Sequence, residues 1–287
     1  MYNELLTQLQ ATHRELQPQL KALRTATSAI QRGMKVVRRE KPEALAMQRA
    51  LGKLQQANQQ LNHAQLDATI RIFEDATSTA LKNLEFDFAR DLKESFEQQG
   101  EVVMGRPPTL TVGLLQLQLD STTRKAKWFY GKEPLTRALP FSRRAILKAY
   151  HTQKQAIAHR QINKTAFLAE LYQAWQELMQ QRVRRPAGNR INIVEVYSKV
   201  VMNRQPRRFW NGPSRQTFNE YFRAHFVRDI VLILASPTLT IDGNLYCLRL
   251  GVATKSQTRQ PHRAIWLPEH PVGGQYYSDL TFEEIKP

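Results

Sequence analysis

Cysteine is almost missing from this chain: Cys247 is the only one in 287 residues. That excludes an internal disulfide framework and any zinc site built on several thiolates. Cys247 lies in "LYCLRL", an apolar strand-like run, and is expected to be a small core residue. Long hydrophobic runs are missing too. No window approaches the ~18 uninterrupted apolar residues of a membrane span, and no apolar leader precedes "MYNELLTQLQ". A soluble, cytoplasmic protein in a reducing compartment is expected, with no membrane partner.

Catalytic signatures are equally scarce. The chain has no glycine-rich phosphate loop ending in Lys-Ser/Thr, no HExxH, no GxSxG and no His/Cys set at metal-ligand spacing. No cofactor, no metal ligand and no catalytic residue is therefore expected. A metal-dependent nuclease needs carboxylates that converge on its metal. Asp120 ends one apparent strand, but the next, "RKAKWFY", brings no second acid.

Acidic residues are few as well, 25 Asp+Glu against 42 Lys+Arg, a net charge of +17. Their distribution matters more than the total. Residues 1–100 carry 14 basic against 12 acidic side chains, whereas residues 124–228 carry 22 against 5. A surplus confined to about a third of the chain is the footprint expected of a polyanion-binding surface, whereas a charge kept for solubility is spread more evenly. Nucleic acid is the leading partner class, ahead of an anionic membrane or an acidic protein, and DNA is favoured over RNA.

What is present in quantity is helical periodicity. Leu6, Leu9, His13, Leu16, Leu20, Leu23, Thr27, Ile30, Met34 and Val37 step by threes and fours, an a/d heptad with two polar interruptions. "RREKPEA" breaks it, with Pro42 suited to a new helix start. A second heptad runs Met47, Leu51, Leu54, Asn58, Leu61, Gln65, Ala68, Ile72 and continues into a heavier seam at Phe73, Leu81, Leu84, Phe88, Leu92 and Phe96. The expectation is an antiparallel coiled-coil hairpin over 1–99, its arms paired along these seams and the helix stopped near Gly100. The residues expected to serve assembly, with a protein partner or a second copy, are Leu6, Leu9, Leu16, Leu20, Leu23, Ile30, Leu51, Leu54, Leu61 and Ile72.

Beyond residue 100 the period changes. "TLTVGLLQLQLD" and "KWFYG" read as strands around a turn, followed by helices over "SRRAILKAYHTQKQAIAHRQ", capped by Ser142, and "KTAFLAELYQAWQELMQQRV". These form a middle α+β unit, 100–186, with "RRPAGNR" as a loop or linker. The remainder, 187–287, reads as helix "NIVEVYSKVVMN", basic turn "RQPRRFWNGP", a second helix opening at Ser214, and β-hairpins around Asp242-Gly243 and through "HRAIWLPE" and "QYYSDLTFEE". The fold class is thus α+β and mostly helical, with a winged-helix-like C-terminal part.

Within that part, two arginine-rich loops flank one short helix. Arg182, Arg184, Arg185 and Arg190 precede it; Arg204, Arg207, Arg208 and Arg215 follow it; Arg223, Lys255 and Arg259 extend the set. Guanidiniums suit phosphate oxygens, and nothing here looks like a base-reading signature, so backbone-directed binding is expected. Phe209 and Trp210, at the turn, are expected to plug the core beneath it. The function implied is a non-catalytic accessory subunit of a larger bacterial complex, in genome defence or DNA processing. Its hairpin would serve assembly and its basic body would hold DNA. One alternative is a pure scaffold that binds an acidic protein. The other is an enzyme of strand transfer or cleavage. His225-x-x-Arg228, followed by Trp266 and Tyr276 or Tyr277, resembles in order the tyrosine recombinases, although here β-hairpins follow where that family continues in helices.

Overall fold

A computed structural model describes residues 2–38, 44–61 and 63–285; Pro42 lies outside the described residues. The chain is α+β, with long helices first and antiparallel sheets after them. It divides into two compact units, one reaching Leu92 and including Asp120–Thr123, the other made of Lys93–Leu119 and Arg124 onward.

The first unit is built on α1 (Tyr2–Val37), α2 (Ala44–Leu61) and α3 (Ala64–Glu97), whose last turn belongs to the second unit. One core joins all three: Ala26 and Ala29 of α1, Leu54 and Ala57 of α2, Leu66 and Ile70 of α3. The face that α1 buries is Ala22, Ala26, Ala29 and Gly33. This differs from the sequence expectation, because the heptad leucines Leu6, Leu9, Leu16, Leu20 and Leu23, with Ile30, Met34 and Val37, are all exposed. Small side chains let two helix backbones approach closely, so α1 packs on α2 through its alanines, and its leucine stripe faces elsewhere.

The second arm also departs from expectation, since α2 and α3 are separate helices. Asn58, a buried seam position, accepts the His63 N–H at 3.1 Å and donates its amide to the Asp67 carboxylate. The His63 carbonyl in turn accepts from Leu66 and Asp67 at 3.0 and 3.1 Å, opening α3. Breaking the helix resets its phase. Leu66 and Ile70 turn inward, whereas Gln65, Ala68 and Ile72 of the expected heptad are exposed.

The second unit begins with a sheet of β1 (Val103–Arg106), β2 (Thr109–Val112), β3 (Leu115–Asp120), β4 (Lys125–Tyr130), β5 (Glu133–Pro134) and β6 (Leu139–Pro140). Its order is β1-β2-β3-β4-β5, with β6 also pairing β4. The expected alternation holds along β4, where Ala126, Trp128 and Tyr130 are buried and Lys125 and Lys127 face out. Helix α4 (Arg143–Gln153) starts at the expected cap, where Ser142 Oγ accepts the Ala145 N–H at 3.5 Å, and it runs into a π turn over Lys154–Ala158. Helix α5 (Lys164–Gln180) is capped by Asn163.

A 3-10 turn over Ala187–Asn189 and β7 (Ile191–Asn192) lead to α6 (Ile193–Asn203), capped by Asn192. The basic turn contains a short helix, α7 (Arg207–Asn211). The helix expected to open at Ser214 starts later, as α8 (Arg223–Ile233). Ser214 instead closes a local turn with Thr217, its hydroxyl and backbone satisfied within three residues, an alternative that hydroxyl side chains offer to helix. Strands β8 (Thr238–Ile241) and β9 (Asn244–Val252) meet at Asp242-Gly243, both at positive φ (49° and 82°), as a two-residue primed turn requires. After α9 (Lys255–Thr258), strands β10 (Ile265–His270) and β11 (Gly273–Ile285) complete a sheet of order β10-β11-β9-β8, with β7 on β11.

This unit's core is aromatic. Phe96 from the end of α3 meets Tyr150 at 4.9 Å and Trp128 at 6.0 Å, both edge-on, and the Trp128 indole donates to the Ile146 carbonyl at 3.2 Å. The two sheets touch at Gly131, whose φ is +56°. A Cβ there would lie 2.8 Å from the Trp266 ring, so glycine is required on both counts.

Candidate nucleic-acid interface

Helix α6 fixes the two arginine loops at its ends, 11 residues or roughly 16 Å apart. It is held against α5 by Glu177, which pairs with Lys199 at 2.8 Å and accepts from the Asn203 amide at 3.2 Å. Lys199 keeps the Glu177 carboxyl below its ordinary range. The loops then contain two kinds of arginine.

The first kind is spent within the fold. Arg204 gives two donors to one oxygen of Glu170, at 2.9 and 2.6 Å, while its guanidinium lies 3.9 Å over the Tyr221 ring. Arg182 pairs with Glu195, and Arg190 with Asp279 at 3.2 Å. Arg223 lies 2.8 Å from Glu133 and donates to the Pro261 and Ala264 carbonyls at 2.7 and 2.9 Å. Burial raises the Glu133 carboxyl pKa, and Arg223 opposes that shift. All four were expected at a phosphate surface. Their acids come from distant parts of the chain, which local sequence does not reveal.

The second kind is free. Arg184, Arg185, Arg207, Arg208, Arg215, Lys255 and Arg259 are exposed and make no ion pair with any described residue. Beside Arg207 and Arg208 the aromatics divide. Phe209 is half-buried against Phe218, ring centroids 5.6 Å apart, whereas Trp210 is 58% exposed and does not plug the core. The reason is the late start of α8. Of the three aromatics in the stretch from 212 to 222, Phe218 lies against Phe209, Tyr221 is buried against Tyr197 and Phe226, and Phe222 is exposed.

Sequence reasoning named no site residue on the first sheet, yet the structure places free cations there. Lys125 and Lys127 lie on the outer face of β4. Lys125 pairs in register with Pro140, and Phe141 N–H donates to the Arg124 carbonyl at 3.2 Å. This brings the start of β4 beside the first turn of α4, which carries Arg143 and Arg144. All five are exposed without an ion pair among the described residues. The signal was available as the period-two Lys-x-Lys over buried alternates. Two arginines in a helix's first turn oppose its dipole, an arrangement that a bound anion relieves.

A cleft of about 950 Å³ opens next to the first loop, with Arg182 and Arg185 at its edge and Tyr172 and Tyr246 on its floor, their rings 5.1 Å apart. Glu283 and Glu284 also line it, so its charge is mixed.

The enzyme-like residues are engaged differently. Arg228 donates to the Ile157 and Ala158 carbonyls of the π turn, at 3.0 and 3.4 Å. Burial, with the nearby Arg160 charge, lowers the pKa of His225 below its ordinary value. Trp266 and Tyr276 face each other across β10 and β11, 4.9 Å apart. Asp120 accepts from Thr123 in its own turn, at 3.0 and 2.6 Å. Among the described residues no three His, Cys, Asp or Glu side chains gather as a metal site, and no helix is long and apolar enough to cross a membrane. No family model, curated protein or solved structure matches this chain, so the site is read from its own residues.

Proposed function

We propose that this protein is a non-catalytic accessory subunit that holds the backbone of DNA on its second unit and assembles through its helical first unit. One observation carries the reading. Two groups of exposed cations, around Arg184/Arg185 and Arg207/Arg208 and around Lys125/Lys127 and Arg143/Arg144, have no intramolecular acid among the described residues. A protein that only needed solubility would have little reason to leave cations of one sign grouped and unpaired, whereas phosphates neutralise such groups and release counterions. Helix α8 followed by β-hairpins supports the winged-helix-like description. The engagement of Arg228 with backbone carbonyls favours the non-catalytic reading over strand transfer.

Fluorescence anisotropy across a salt series, on two unrelated duplexes, tests this. Arg184→Ala/Arg185→Ala and Arg207→Ala/Arg208→Ala should each weaken binding equally for both sequences. Each lost phosphate contact should reduce the log–log salt slope by about 0.9. Unchanged affinity in both double variants, with folding intact, overturns the reading. So does loss confined to one sequence, which would mark base readout.

A further inference from the structure

The alanine face of α1 leaves its heptad unpartnered. Residues 2–21 contain no buried side chain, and the first buried position is Ala22. About 30 Å of helix, at 1.5 Å per residue, therefore extends past the α2–α3 turn with Leu6, Leu9, Leu16 and Leu20 open. The C-terminal half of the same stripe differs. There Ile30, Met34 and Val37 line an apolar groove of about 350 Å³, walled by Leu54, Thr69 and Phe73. A bare leucine arm and an apolar groove thus lie on one continuous seam.

We infer that the groove's occupant is the arm of a second copy, in an antiparallel, two-fold dimer of α1. This rests on the assembly half of the function proposed above and names the partner. The register follows from the heptad. An antiparallel pairing about the 21/22 midpoint sets Leu6 on Val37, Leu9 on Met34, His13 on Ile30, Leu16 on Thr27 and Leu20 on Leu23 of the second copy. Each layer joins an a position to a d position, so the same patch serves both copies. Neither polar seam residue meets its own kind, whereas a parallel pairing stacks His13 on His13 and Thr27 on Thr27.

Charge supports the same direction. Residues 2–20 hold Glu4, Glu15 and Arg14, a net of −1; residues 21–38 hold Lys21, Arg24, Arg32, Lys35 and Arg38, a net of +5. Antiparallel pairing lays each acidic half on a basic one, whereas parallel pairing aligns the basic halves. Size is adequate too. Eight aliphatic seam residues, each about half exposed, offer on the order of 600 Å² per copy, so two seams exceed the ~1,000 Å² expected of a specific interface.

Light scattering after gel filtration, without nucleic acid, reads the assembly directly. The intact chain should weigh twice 33.3 kDa at micromolar concentration. Leu9→Asn/Leu16→Asn removes nothing buried in the single chain and should raise the dimer dissociation constant at least ~100-fold. Register is read by oxidation in a Cys247→Ala background. Leu9→Cys/Met34→Cys should yield covalent dimer and Leu9→Cys alone should not. A monomeric intact chain, an undiminished dimer in the double-asparagine variant, or efficient cross-linking through Leu9→Cys alone would each overturn the proposal. Failure of DNA binding would appear only in the anisotropy series, so the two readings fall separately.

Discussion

The two units solve the problem of burial in opposite ways. The second is closed on itself: Phe96, Trp128, Tyr130, Tyr150 and Phe226 are fully buried, and long-range ion pairs tie its surface to its frame. The first buries mainly alanines and medium aliphatics and exposes a row of leucines. Its ion pair, Arg90 with Asp87, is a local one on α3, and among the described residues the cations of α1 and α2 make none. A unit with an aromatic core and long-range ion pairs across it is suited to stand alone. A unit with an open apolar stripe is suited to complete itself against something else.

The sharpest way to break that contrast is at the point where α3 enters the second unit. A chain beginning at residue 93 retains Phe96 and should fold, whereas one beginning at 101 loses it. Emptying that aromatic site should cost about 3–5 kcal/mol, read as a lower thermal midpoint or an unfolded fragment by circular dichroism. Equal stability of the two fragments would mean that the second unit's core does not depend on Phe96.

Next is the buried charge cluster of the same unit. Asp229 is 1% exposed and accepts two Arg160 donors, at 2.5 and 2.8 Å, and the Tyr221 hydroxyl at 2.6 Å. Burial and the Asp229 charge push the Tyr221 phenol well above its ordinary pKa. Asp229→Ala should cost about 3 kcal/mol, toward the low end for a broken buried pair because Arg160 keeps partial access to water. At roughly 2–4 °C per kcal/mol for a unit of this size, calorimetry should show a drop of about 6–12 °C.

Arginines on either side of α6 offer a finer comparison. Arg204→Ala should lower stability by about 1–2 kcal/mol, through its Glu170 pair and its stacking on Tyr221, and leave DNA affinity nearly unchanged. Arg207→Ala/Arg208→Ala should do the reverse. If Arg204 proves as important for binding as the free pair, the division between spent and free arginines fails.

The smallest effect concerns pH. His225 has a folded pKa lowered from 6.5, chiefly by burial. A depressed folded value means that its stabilising contribution is fully present above 6.5 and lost as pH falls through the folded value. Acidification from pH 7 to 5 should therefore destabilise the second unit by under about 1.4 kcal/mol per pH unit, and His225→Gln should flatten that part of the profile. A steeper profile in the variant would assign the acid sensitivity to another group.

Much of this was legible in the residues. The long helices, the Ser142 cap, the Asp242-Gly243 hairpin and the β-strands each follow from local chemistry, and local chemistry is what a sequence displays. The gathering of positive charge around Arg184, Arg185, Arg207 and Arg208 was legible as composition, because few acids fall in that stretch of the chain. Trp210 departs from the expected core plug, and Ser214 closes its own turn with Thr217 where a helix cap was expected.

By itself the sequence determined which residues share a face and where the positive charge collects, since helical period and composition are properties of the chain alone. It did not determine which face is used. Alanines and leucines on α1 are both regular stripes, and only the shape of α2 selects the alanines, whose small side chains allow close approach. Nor did it determine which arginines remain for a ligand. Arg160 meets Asp229 69 positions away and Arg204 meets Glu170 34 positions away, pairings that exist only once the helices have packed.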